Sequence, residues 1–146
     1  MPMRFELTWA DRRAVPPASA RRFLDFLVDG QPLSERHRQD LISCLGWFVP
    51  DEDERAARRL LGEQPADVDG RVALYVCPEC GDTLCGALTA RITHSERAVT
   101  WTDFAMSWFD HDDNRCQHDP HDLGLNPELQ FDAAAYRLTI EQRPRI

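Results

Sequence analysis

Residues 71–106 constrain the fold most. Three strand-like runs, RVALYVC at 71–77, CGALTARIT at 85–93 and AVTWTDFAM at 98–106, follow one another with short joints. Short runs rich in β-branched and aromatic residues suit a pleated, half-buried surface, and joints this short join antiparallel neighbours. The spacing predicts an antiparallel β-meander whose first joint carries Cys77, Cys80 and Cys85.

The flanking segments supply the elements that cover such a sheet. Met3, Phe5, Leu7 and Trp9 alternate with Arg4, Glu6 and Thr8, the period of a strand with one buried face. Residues 10–20, with two prolines, read as an exposed connection. FLDFLV at 23–28 runs into Asp29-Gly30 and reads as a second strand ending in a tight turn; Phe23, Phe26 and Leu27 also fit a helix. Ser34 as N-cap, followed by Leu41, Ile42 and Leu45, predicts a helix over 34–45. Pro50, the acids 51–54 and the apolar set Ala56, Ala57, Leu60 and Leu61 predict a second helix ending near Gly62. Residues 131–142 predict a C-terminal helix capped by Asp132. The polar stretch 107–130 reads as a long mobile loop. At 146 residues the expectation is a single α+β domain: N-terminal strands, two central helices, the meander with its cysteine turn, and a C-terminal helix.

Charge narrows the partners. The 17 basic residues, all arginine, face 25 acids, for a net charge of -8. Nucleic-acid binding draws on a basic face, and the arginine clusters here are short and flanked by acids, so neither nucleic acid nor a membrane surface is the expected partner. No apolar run approaches the roughly 18 residues of a membrane span, and the N-terminus lacks the apolar stretch of a signal peptide, which predicts a cytoplasmic protein. A protein partner of opposite charge fits better, because opposite charge speeds encounter. Trp101, Phe104, Trp108 and Phe109 are the aromatic candidates for partner binding, against core packing as the plainer role.

The five cysteines, at 44, 77, 80, 85 and 116, are an odd set without a secretion signal, which argues against a disulfide framework. Cys77-Pro78-Glu79-Cys80-Gly81 has the form of a zinc knuckle. Pro78 fixes φ, Gly81 permits a left-handed turn, and turn amides can point at both thiolates. Cys85, across the base of the same hairpin, is the third candidate ligand. A closed structural site needs four, so Cys116, His118 or His121 is the candidate fourth, reached by a loop folding back. His94 lies about 30 Å from Cys85 along an extended strand and is too far. The alternatives are small residues in a tight turn, with no metal, or a redox pair. In a redox pair the C-x-x-C opens a helix, for which Leu84, Leu88 and Ile92 have the spacing. Asp110, Asp112 and Asn114 match the start of a calcium loop, but Arg115 replaces its glycine and His121 its bidentate glutamate. No Gly-rich phosphate loop or G-x-S-x-G is present.

YVCPECGDTLCGALTARI, the downstream TWTDFA and the C-terminal QFDAAAYRLTI together resemble a set of small, largely uncharacterised bacterial proteins. These share a YVCPECGD-x-x-CGA core, a W-x-D-F stretch and an F-D-x-x-x-Y helix, and some are loosely labelled oxidoreductases. Val28-Asp29-Gly30-Gln31-Pro32-Leu33 is similar to their V-x-G-x-P-L segment. The resemblance covers Cys77, Cys80, Cys85, Gly81 and Gly86; it does not reach Cys116, His118 or His121, and Leu84 stands where glycine is common. The expected function is a non-enzymatic domain with a zinc-bound cysteine turn that inhibits or regulates a basic protein partner. The alternative is a thiol-dependent oxidoreductase using Cys77 and Cys80.

Overall fold

The alternation near the N-terminus becomes β1 (Phe5–Arg12), paired antiparallel along its length with β2 (Arg21–Val28). The structure, a computed structural model, describes residues 2–12, 21–47, 49–120 and 123–145. Phe23, Leu24, Asp25 and Phe26 are buried in succession, as in an inner strand covered on both faces, so the strand reading of 23–28 holds. Asp29 (φ 51°) and Gly30 (φ 80°) turn the chain into β3 (Gln31–Pro32), which completes a three-stranded sheet.

The second sheet is the expected meander, extended at both sides. Its order is β4 (Ile42–Ser43), β5 (Val72–Val76), β6 (Ala87–His94), β7 (Ala98–Asp110) and β8 (Arg115–Asp119). β8 pairs with the second half of β7, Met106–Asp110, while β9 (Glu128–Asp132) pairs with the first, Ala98–Thr102. The two sheets meet at β2 and β4, where the Leu24 amide donates to the Leu45 carbonyl at 2.9 Å. α2 (Pro50–Leu60) starts on Pro50 with Asp51, Glu52 and Asp53 in its first turn and buries Ala56, Ala57 and Leu60. α3 (Ala133–Glu141) is capped by Asp132, whose carboxylate accepts from the Ala135 amide.

Two expectations are corrected. The helix expected over 34–45 is the short α1 (Leu33–His37), stopped by Arg38 in the left-handed region (φ 57°). Beyond it Ile42 and Ser43 pair with Val76 and Tyr75, so sheet pairing overrides the helical spacing of Leu41, Ile42 and Leu45. Ser34 caps nothing; its hydroxyl donates to the Asp25 carboxylate. The stretch 107–130 is in part strand rather than one long loop: β7 runs on to Asp110, a turn with Asn114 at φ 53° leads into β8, and β9 begins at Glu128. Asp110 accepts from the Asp112 and Asp113 amides, so part of its acidic character is turn chemistry.

A bulge sorts the aromatic run. Asp103 (φ 57°) interrupts the pairing of β7 with β6, so Trp101 and Phe104, an odd number of residues apart, both face the main core. Trp101 is fully buried among Phe5, Phe26, Phe131 and Tyr136. Its role is packing, and Phe104 is buried too, which removes both from the partner-binding set. Trp108, 40% exposed, remains on the surface, and half-buried Phe109 packs against His111.

One buried group makes stability depend on pH. His37, 2% exposed, stands edge-on to Tyr75; its Nδ1 accepts from the Gln39 amide, so Nε2 carries the proton and has no partner among the described residues. Burial lowers its pKa to about 4, below the ordinary 6.5. The depressed value means that the stability present above pH 6.5 is lost as pH falls towards about 4, roughly 3 kcal/mol in all. Asp25 acts in the opposite sense. Burial raises its carboxyl above the ordinary range, against the hydrogen bonds from Ser34, Tyr75 and the Phe26 amide, so its proton is held more firmly in the folded state. His37→Phe isolates the imidazole: urea unfolding of the variant should lose most of the acid sensitivity between about pH 7 and pH 4.5. An unchanged acid limb would remove His37 as its source.

Candidate metal centre

β5 ends at Val76, opposite Ala87 of β6, which leaves residues 77–86 as the hairpin loop. The Gly81 amide donates to the Cys77 carbonyl at 2.9 Å and closes a tight turn, and Gly81 sits at φ 68°, where a side chain would be strained. A single 3₁₀ turn, Thr83–Cys85, follows, closed by the Cys85 amide on the Asp82 carbonyl at 3.2 Å. The two turns bring Cys77, Cys80 and Cys85 together, every Sγ within 4.8 Å of the others. Cys80 Sγ donates to Cys85 Sγ at 3.0 Å, Cys77 is half-buried, and the other two are exposed.

The loop polarises the three thiols unequally. Burial pushes Cys77 up, but hydrogen bonds from the Cys80 and Glu79 amides and from the Cys80 and Cys85 thiols outweigh it, and the thiol ends below its ordinary value. Cys80 is held at about 11, chiefly by its hydrogen bond with Cys85 and then by burial, against the Asp82 amide that points at its sulfur at 3.4 Å. Amide dipoles aimed at one sulfur favour the thiolate, the form that ligates a metal.

The open end of the first sheet braces the turn. Arg12 and Arg21 are register partners, and Arg21 Nε donates to the Pro78 carbonyl at 2.8 Å while its guanidinium lies over the Trp47 ring. Arg12 grips both Asp40 oxygens at 2.8 Å and reaches Glu79 at 3.3 Å. The paired guanidinium holds the Asp40 carboxyl below the usual range. Beside the turn a cavity of about 230 Å³ opens between α2 and β5, with Trp47, Arg59, Asp67 and Asp82 among its lining. The neighbours from other elements carry no sequence signal: Arg12 and Arg21 stand 65 and 56 positions before Cys77, and Asp40, Trp47 and Arg59 stand 37, 30 and 18 positions before it.

The expected fourth ligands lie elsewhere. Among the described residues the metal-capable group holds the three cysteines alone. Cys116, opposite Phe109 on β8, packs against the small apolar cluster of Val68, Ala73, Val76 and Ala87. His118, opposite Ser107, is held between Ser107 Oγ at 2.7 Å and Asp69 Oδ2 at 2.9 Å. A strand in fixed register cannot fold back over the turn as a loop would. His121 lies outside the described residues. His94, at the far end of β6, sits against Gly62.

A thioredoxin-like arrangement is absent among the described residues. No α-helix follows Cys80; the 3₁₀ turn leads into β6, where Leu88, Ala90 and Ile92 share a face at the strand period. The centre can therefore offer three soft sulfur ligands to a metal ion, a set that suits zinc and other thiophilic ions. No helix among the described residues is long and apolar enough to cross a membrane. No family model, curated protein or solved structure matches the chain.

Proposed function

We propose that the chain is a small acidic metal-binding domain in which Cys77, Cys80 and Cys85 hold a structural zinc ion. It acts without turnover, by binding a basic protein partner in an inhibitory or regulatory role. The observation that carries the metal is the convergence of three thiols within one hairpin loop, with backbone amides aimed at Cys77. The partner rests on the net charge of -8, which attracts and orients a basic protein. Protein purified without chelator or histidine tag should carry one zinc per chain. The Cys77→Ser/Cys80→Ser variant should lose it together with about 2.7 kcal/mol of stability when free zinc stands a hundredfold above its Kd.

The depressed Cys77 thiol beside a raised Cys80 favours one second reading, thiol–disulfide exchange. The Cys77 thiolate would attack a substrate disulfide, forming a mixed disulfide and releasing one substrate thiolate. Cys80 or Cys85 would then attack the Cys77 sulfur, releasing the second; the substrate is reduced and the loop oxidised. Metal-free protein whose Cys77 is alkylated by iodoacetamide well below the ordinary thiol pKa of about 8.5 would overturn the zinc reading in favour of this one.

A further inference from the structure

Three ligands from the chain leave a tetrahedral ion one short of a closed set. The side chains best able to close it are engaged: His118 with Ser107 and Asp69, Glu79 with Arg12, and Cys116 with its apolar cluster. Cys80 and Cys85 are exposed, so an ion held by the three thiols would be reachable from solvent.

On the zinc reading above, we infer that the fourth position stays open and takes a neutral nitrogen donor, the imidazole of a partner protein's histidine. Charge selects the donor. Zinc with three thiolates is already in negative excess, and Glu52, Asp67 and Asp82 outnumber Arg59 in the lining of the adjoining cavity. An incoming thiolate or carboxylate would add to that negative charge, and a neutral imidazole does not. Gly81, Asp82 and Thr83 line the cavity and belong to the same loop as the ligands, with the Asp82 amide 3.4 Å from Cys80 Sγ, so the cavity brings the carboxylate of a residue that adjoins the ligands. A ligating histidine normally donates its other ring N–H to such a group. The metal thereby becomes the contact point for the partner rather than a remote staple.

Cobalt(II) in place of zinc in the full chain tests this, because its visible d–d bands report the ligand set. Added imidazole should shift those bands saturably, with an apparent Kd at least about tenfold below that of 2-mercaptoethanol. Cys116→Ser, His118→Gln and His121→Ala should each leave the cobalt spectrum of the free protein unchanged. A spectrum altered by any of the three variants would place the fourth ligand within the chain and overturn the inference. So would bands that ignore imidazole, or tighter binding of the thiol. Failure to bind cobalt at all, with three reduced thiols, would instead remove the zinc reading itself.

Discussion

Replacing Trp101 by alanine should lower the unfolding free energy by about 3–5 kcal/mol, the range for truncating a large buried aromatic. Trp101 is fully buried on β7 at the point where both sheets and α3 meet. Phe5 from the first sheet, at 5.6 Å, and Phe26, at 5.3 Å, present their rings edge-on to it, as do Phe131 at 5.2 Å and Tyr136 at 6.2 Å. Such edge-to-face pairs add to the area term. Its indole Nε1 donates to the Tyr136 hydroxyl at 3.3 Å, and that hydroxyl donates to the Leu60 carbonyl at 2.7 Å, tying α2 and α3 to the sheet. Truncation opens a cavity and removes that link. Trp108→Ala, at an exposed site on the same strand, serves as the control and should change stability by no more than about 0.5 kcal/mol. Denaturant unfolding of both variants reads the difference; a Trp101→Ala loss under about 1 kcal/mol would mean that the two sheets do not share one core.

The second large effect is expected at the C-terminal end of the chain. Arg143 and Asp53 form an ion pair at 3.2 Å with their side chains 2% and 4% exposed. The other Asp53 oxygen accepts from the Gly46 amide at 2.8 Å, and Arg143 also donates to the Ile140 carbonyl at 2.9 Å. The pair thus joins α2, the β4 exit and the end of α3. Arg143→Met leaves the Asp53 carboxylate buried without its cation and should cost about 3–5 kcal/mol. Asp53→Asn/Arg143→Met removes the charge and keeps the acceptor for Gly46, so it should recover most of that loss. A double variant as unstable as the single one would show that lost packing by Arg143, rather than an orphaned charge, sets the cost.

Residues read correctly from the sequence are those whose partners are close in it. The cysteine loop is the clearest case. Its three thiols lie within nine positions, and Pro78, Gly81 and the flanking strand patterns that bring them together are all close to them in the chain. The Asp132 cap and the Pro50 start of α2 are equally local. The failures share a different cause. Ile42 and Ser43 sit in a helical pattern, yet β5, some 30 residues on, offers them ladder hydrogen bonds. Polar 107–130 lacks apolar alternation because β8 is an edge strand whose pairing with β7 runs through backbone groups that composition does not register.

By itself the sequence determined the strand-rich α+β class, the meander, two of the three α-helices among the described residues and the three-thiol turn, because each depends on side-chain periods or turn chemistry within about ten residues. Only the tertiary structure decided that Trp101 and Phe104 are core, since the bulge at Asp103 changes which face each presents. It also decided that His118 turns to Ser107 and Asp69 rather than to the cysteines, and that Arg12, Arg21 and a cavity adjoin the loop. Those outcomes follow from strand register and from contacts between distant segments. Register follows from the packing of whole faces and not from any one residue's neighbours along the chain.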